Sequence, residues 1–176
     1  MNNNNSYRLF RKLSLDSLRE NYHAPVIVAE QLQSPENIGA ILRLAGNVAA
    51  RKVIFLYNSP PGYKRYKINK HASGAAEKVQ WEYLSYEKLE EELPDGYHWV
   101  AIETTPDAEN IYNARLPGKV VFFVGNERYG LSDKLLKLMD KRYFIPVPGT
   151  VSSLNVSQAL SVALFEWLRQ QLFAGG

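Results

Sequence analysis

The sequence predicts an α/β fold, a mostly parallel β-sheet covered by helices on both faces and built as one domain. The strand-like runs are nearly all apolar, as in Val26-Ile27-Val28-Ala29 and Val120-Val121-Phe122-Phe123-Val124, which is how strands buried on both faces read. Helix-like segments alternate with them, and no Pro/Gly/Ser-rich linker or internal repeat interrupts the alternation. A chain of 176 residues with 45% hydrophobic content can bury one proper core, whereas two full domains would be cramped.

Met1 to Asn5 lacks the charged and apolar regions of a signal peptide and reads as a frayed start. From Ser6 to Asn21, Leu9, Leu13, Leu15 and Leu18 mix with Arg8, Arg11, Lys12 and Arg19, the pattern of a short basic amphipathic arm or a solvated helix face. Pro25 to Ala29 is a buried-type strand. Ser34-Pro35-Glu36 then starts a helix, with proline just inside the cap, that runs to about Ala50. Ile38, Ile41, Leu42, Ala45 and Ala49 form its core stripe. Arg43 lies opposite with Gly39, Ala40, Asn47 and Ala50, either as an ordinary exposed arginine or with room for a large partner to approach.

Lys52 to Tyr57 is the next strand, broken by Pro60-Pro61-Gly62. Tyr63 to His71 follows as the most basic segment. It is either a solvated surface loop or an RNA contact in which Lys64, Arg65, Lys67 and Lys70 meet phosphates and tyrosines stack on unpaired bases. Val79 to Leu84 alternates as a half-buried strand, and Tyr86 to Leu93 reads as a short helix stopped by Pro94. Strands at Tyr97 to Ile102 and Lys119 to Val124 follow, with a helix starting at Ser132-Asp133. Arg142 to Val147 is the last strand, ended by Pro146 and Pro148, which brings the sheet to about six strands.

The final helix begins near Asn155, where serines and asparagine can cap it. It carries two apolar stripes: Val156, Ala159, Leu160, Ala163, Leu164 and Trp167 on one face, Val162, Phe165, Leu168 and Leu172 on another. A lone domain needs only one such stripe. The second calls for a subunit partner or for the chain's own N-terminal segment.

Composition removes several function classes. With no cysteine, disulfides, thiolate metal sites and a cysteine nucleophile are excluded, and His23, His71 and His98 show no ligand spacing, so no metal is expected. No apolar run reaches membrane-spanning length, and a cytoplasmic protein is expected. The net charge of +3 permits a nucleic-acid partner without requiring one.

The informative polar residues follow strands. Glu103-Thr104, Gly125-Asn126-Glu127 and the turn from Pro146 to Asn155 would share the carboxyl edge of a parallel sheet, where open α/β folds bind ligands. No G-x-G-x-x-G follows a strand, and Leu131 stands where a P-loop needs lysine. The ligand must be held by other loops.

Three of these segments resemble, in order and spacing, the signature motifs of the SpoU/TrmH-like branch of the SPOUT methyltransferases. They are Asn37-Ile38-Gly39-Ala40-Ile41-Leu42-Arg43, then Val124-Gly125-Asn126-Glu127-Arg128-Tyr129-Gly130-Leu131, and finally Ile145-Pro146-Val147-Pro148-Gly149 with Ser153-Leu154-Asn155-Val156-Ser157. The resemblance covers about Val26 to Leu172. It implies an RNA 2′-O-ribose methyltransferase acting on tRNA or rRNA with S-adenosylmethionine, a trefoil-knotted α/β domain over residues 25–176 preceded by an arm at 1–24, and a homodimer through the C-terminal helix.

The resemblance also implies site residues. Glu103, Thr104, Gly125, Ile145, Val147 and Leu154 would hold the cofactor, while Arg43, Asn37, Glu127, Ser153 and Asn155 match the polar catalytic positions. Arg43 would also face the RNA, together with Lys64, Arg65, Lys67 and Lys70. A guanidinium with a pKa above about 12 is a poor base, so Arg43 is expected to stabilise an alkoxide or grip a phosphate. Glu127 would orient Arg43 or Asn37, within or across subunits. Asn126 stands where serine is common and Val147-Pro148 where a methionine and a variable residue are common, departures expected to touch pocket shape more than chemistry. Two rival readings are a non-catalytic RNA-binding protein on the same fold and a methyltransferase acting on a base.

Overall fold

The computed structural model describes residues 22–173, so the basic arm expected at 6–21 and the frayed start lie outside the described residues. Seven parallel strands form one sheet in the order β3-β2-β1-β6-β4-β7-β5. They are β1 (Val26–Glu30), β2 (Lys52–Leu56), β3 (Trp81–Leu84), β4 (His98–Ile102), β5 (Glu109–Asn110), β6 (Val120–Val124) and β7 (Lys141–Phe144). The strand beyond the expected six is β5, two residues paired with β7 and too short to carry a periodicity.

Among the described residues five α-helices accompany the sheet: α1 (Pro35–Asn47), α2 (Arg65–Ala72), α3 (Leu89–Glu92), α4 (Asp133–Leu136) and α5 (Val156–Phe173). The central strands β1 and β6 are buried along their whole length, so their alternate side chains enter two different cores. Ile27, Phe55, Val100 and Phe122 meet α1, α2 and α5 on one face, through Ile38, Ile41, Ile68, Leu160, Leu164 and Trp167. Val28, Ile54, Ala101 and Phe123 meet α3 and α4 on the other, through Leu89, Leu131 and Leu135. The layering is α/β/α, as expected.

Several boundaries differ from expectation. Ser34 caps α1 by accepting from the Asn37 N–H at 3.1 Å, and Pro35 opens the helix, but α1 stops at Asn47 instead of about Ala50. Ala49 has φ of 47° and the Ala50 N–H returns to the Ala45 carbonyl at 2.9 Å, a left-handed helix end made without glycine. The strand expected to reach Val147 ends at Phe144.

The largest correction is α2. The segment read as a loop is helical, seated on α1 and the sheet by Ile68 and Ala72, with its charges outward. Gly39 makes that seat possible, because a Cβ there would lie 2.5 Å from the Ile68 carbonyl oxygen and 2.7 Å from the His71 Cβ. The small residue near Arg43 therefore admits a neighbouring helix, not a binding partner. Tyr63 also turns inward, and its hydroxyl lies 3.4 Å from the Leu32 carbonyl oxygen as a hydrogen-bond donor.

On α5 the first stripe is buried except for the half-buried Ala159, as expected of the core-facing side. Of the second, Phe165 is 47% exposed, and Val162, Leu168 and Leu172 are half-buried.

Candidate active site

The strand order reverses between β1, which leads outward to β2 and β3, and β6, which leads to β4, β7 and β5. A parallel sheet splays its connecting loops apart at such a point and leaves a crevice at the carboxyl edge. A cavity of about 340 Å³ lies at this edge, formed by the loops after β4, β6 and β7 and the first turn of α5. Its lining includes all six expected cofactor positions, Glu103, Thr104, Gly125, Ile145, Val147 and Leu154. Ile102, Val124, Phe144 and Ala159 add apolar wall that the sequence patterns did not single out.

The loop after β6 is the most constrained part of this edge. Asn126 and Gly130 exchange backbone hydrogen bonds at 3.0 and 2.9 Å, closing a tight turn around Glu127, Arg128 and Tyr129. The Asn126 side chain pins it from inside: its Oδ1 accepts from the Arg128 and Tyr129 N–H groups at 2.9 and 3.2 Å, and its Nδ2 donates to the Gln31 carbonyl at 2.6 Å. Serine could not span both contacts, so Asn126 does more than shape the pocket. Gln31 itself sits at φ 50°, a left-handed conformation uncommon for a residue with a side chain, at the exit of β1.

Two carboxylates hold the far side of the same loop. Glu103 accepts from the Leu131 N–H at 2.9 Å and from its own neighbour Thr104 at 3.0 Å. Glu30, only 2% exposed, accepts from the Ser132 N–H at 2.7 Å and the Tyr86 hydroxyl at 2.7 Å. Burial and the Glu30 carboxylate together push the Tyr86 phenol well above its usual range. Gly125 and Gly130 are needed where they stand: a Cβ on Gly125 would fall inside the Gly130–Leu131 peptide, and one on Gly130, at φ 67°, would collide with the Glu103 carboxylate.

Three of the five expected catalytic residues meet beside the cavity. Asn37, in the first turn of α1 and 8% exposed, donates to Glu127 Oε1 at 2.7 Å and accepts from the Asn155 amide at 3.1 Å. The other Glu127 oxygen accepts from the Gln33 N–H at 2.9 Å, and Asn155 Oδ1 accepts from the Ser157 N–H at 2.9 Å. The two amides thus point their donors in sequence toward Glu127. Each amide nitrogen keeps a second N–H with no partner among the described residues. Ser153 lines the cavity from an exposed position.

Arg43 is not part of this cluster. It lies six residues after Asn37 on α1, about 9 Å along the axis and about a third of a turn around it, exposed and without an ion-pair or hydrogen-bond partner among the described residues. Within one chain, Glu127 therefore orients Asn37 and not Arg43. Lys64, Arg65, Lys67 and Lys70 are exposed on or beside α2 and line no part of the cavity. Among the described residues no cluster of His, Asp and Glu could hold a metal ion, and no helix is long and apolar enough to cross a membrane.

Comparison with known proteins gives concordant matches. The family model described as the SpoU rRNA Methylase family matches residues 24–165. The 23S rRNA (guanosine-2'-O-)-methyltransferase RlmB of Ralstonia nicotianae is 35% identical over 165 residues, which cover 90% of this chain and 65% of that protein. The chain thus spans just under two thirds of that relative's length. Among solved structures, the TrmH/SpoU tRNA modifying enzyme of A. aeolicus superposes with a TM-score of 0.76 at 26% identity, covering 95% of this chain and 86% of that one. A structure described by the 2-OH methylation of C/U34 on tRNA gives 0.72 at 27% identity, covering 84% of this chain and 96% of that one.

Proposed function

The chain belongs to the SpoU rRNA methylase family, and on that premise we propose that it transfers a methyl group from S-adenosylmethionine to a ribose 2′-hydroxyl of tRNA or rRNA in the cytoplasm. The observation that carries this reading is the placement of the Asn155–Asn37–Glu127 chain against the rim of the three-loop cavity. The cavity fits the cofactor in kind: Ile102, Val124, Phe144, Ile145, Val147 and Leu154 give apolar wall, Glu103, Thr104, Glu127 and Ser153 give polar groups for a charged, hydroxyl-bearing ligand, and the volume is within the usual range of small-ligand sites. Glu103, Thr104, Gly125, Ile145, Val147 and Leu154 would hold it. Bound there, S-adenosylmethionine supplies an electrophilic methyl carbon on a cationic sulfur.

The chain's own residues then have two tasks, alignment and removal of charge. Asn37 and Asn155 each offer an amide N–H whose direction is set by its other partners, suited to an oxygen of the target nucleotide. Glu127 has both oxygens engaged and acts by fixing Asn37. Ser153, with no histidine in the site, is a positioning group. Arg43 stays protonated and stabilises the developing alkoxide or holds the adjacent phosphate, leaving the proton to phosphate or water.

The outward position of Arg43 and the exposed Phe165 stripe both support a homodimer through α5, in which the second subunit's Arg43 completes the site. We read the path of the chain as the trefoil knot that the motifs imply and residues 25–176 as the methyltransferase domain.

The test is calorimetric titration of the purified protein with S-adenosylmethionine and S-adenosylhomocysteine, followed by transfer of labelled methyl to bulk tRNA and rRNA and digestion to nucleosides. One site per chain, weakened by changes at Leu154 or Gly125, and a 2′-O-methyl nucleoside are expected. A labelled base would replace this reading with base methylation, and RNA binding by a folded protein that takes up neither compound would leave a non-catalytic binding protein.

A further inference from the structure

The two most exposed aromatic residues of the described chain, Tyr129 at 73% and Tyr66 at 64%, have no role in the cavity chemistry above. Single exposed rings are ordinary on a protein surface, and it is the position and charged surroundings of these two that set them apart. Tyr129 sits at the tip of the β6 loop and on the cavity rim, in a turn already closed by Asn126 and Gly130. The Arg128 guanidinium lies 5.5 Å from the ring centroid, covering one face and leaving the other open.

Tyr66 stands on the outer side of α2, opposite the buried Ile68 and Ala72, with Lys70 one turn further on. The start of α2 is tied to the same sheet edge: the Tyr63 hydroxyl donates to the Leu32 carbonyl, and the next residue, Gln33, holds Glu127. Both rings are thus borne by segments anchored at Leu32–Gln33, where the exposed cations Lys64, Arg65, Lys67, Lys70 and Arg128 outnumber the exposed carboxylates Glu36 and Glu127. Exposed rings on segments whose other exposed side chains are mostly cations and not apolar suit a polyanion with flat faces better than a protein surface.

We propose that Tyr129 and Tyr66 are the base-stacking contacts of a single-stranded RNA track along this edge. The nucleotide entering the cavity mouth packs its base on Tyr129, and an unpaired neighbour packs on Tyr66 while the α2 lysines follow the backbone. The inference rests on the methyltransferase reading and narrows its substrate class to unpaired nucleotides in a loop or strand, since paired bases in an A-form helix have no free face to offer.

The experiment measures anisotropy of a short fluorescein-labelled RNA of mixed sequence, alone or annealed to its complement, with saturating S-adenosylhomocysteine. The single strand is expected to bind at least about tenfold more tightly than the duplex, and Tyr129→Ala and Tyr66→Ala are each expected to weaken it about tenfold or more while Phe at either position retains affinity. Cooperative urea unfolding of the Ala variants, with the slope of the parent, reports that they are folded. Equal binding of duplex and single strand, or Ala variants that bind RNA as the parent does, would overturn the track while leaving the cofactor reading in place. Failure of the parent to bind S-adenosylhomocysteine, with the single-strand preference and its tyrosine dependence intact, would overturn only the methyltransferase reading.

Discussion

Replacing Gly39 with alanine tests the contact on which the basic helix rests. In an isolated helix the change would be favourable by about 0.8–1 kcal/mol. Here the new methyl would lie 2.5 Å from a backbone oxygen of α2 and 2.7 Å from the His71 Cβ, and neither atom is the end of a flexible chain. Restoring ordinary separations moves α2 by roughly 1 Å, out of its seat on Ile38 and Ile41, at an overpacking cost of about 1–3 kcal/mol. The net expectation is a loss of about 0–2 kcal/mol, read as a lower urea midpoint with an unchanged slope. RNA affinity falls with it, because the cations of α2 move, while S-adenosylhomocysteine binding holds, because α2 lines no part of the cavity. Gly46→Ala in the same helix is the control: its methyl would meet only Ala75 and Val79 at 3.6 Å, so that variant should gain stability by about 0.5–1 kcal/mol. A Gly39→Ala protein as stable as Gly46→Ala would refute the argument.

Arg43→Ala should abolish methyl transfer with cofactor binding largely kept, and unchanged turnover would remove Arg43 from the site. Glu30→Ala strips the Ser132 N–H and the Tyr86 hydroxyl of a buried acceptor, so stability should fall by about 1–3 kcal/mol and S-adenosylhomocysteine should bind more weakly, both read by titration with and without urea. Stability should also fall in alkali: burial pushes the Tyr22 phenol up to about 12 and the Tyr57 phenol higher still, whereas the unfolded chain ionises these groups from about pH 10. The unfolded state then holds fewer protons than the native one, so stability is intact below that pH and declines above it, by about 1.4 kcal/mol per pH unit for a phenol as buried as Tyr57. A urea midpoint that stays level from about pH 9 to about pH 11 would contradict this.

The elements that were legible in the sequence are those whose side chains report their own surroundings. β1 and β6 are apolar throughout because they have protein on both faces, and Ser34-Pro35 announces a helix start through the groups it satisfies and omits. α2 was not legible: only Ile68 and Ala72 of its eight residues are buried, too few to show a helical stripe among lysines and tyrosines. Nor was the early end of α1, since Ala49 adopts φ 47° without the glycine that usually marks such a turn.

In the site, the resemblance to the family motifs named the cavity residues and Asn37, Glu127 and Asn155, and the fold brings them together because each follows a strand or starts a helix at one edge. The relation of Arg43 to them was beyond it, because a helix separates residues six apart in a way that linear spacing hides. Glu30 read as the polar end of a strand, and nothing local showed that its partners would be Tyr86 and Ser132, far along the chain.

The carboxylates of Glu30, at the end of β1, and Glu103, just after β4, come from the two sides of β6, and they grip successive N–H groups on the far side of the β6 loop. The loop is therefore a socket moored from both neighbours, and its tip is a replaceable bit. Arg128 and Tyr129 contribute only backbone N–H groups to the mooring, which any residue but proline supplies. Exchanging that dipeptide would change what the tip touches without loosening what holds it. The same scaffold can thus present a different pair of side chains at the cavity rim through two adjacent codons.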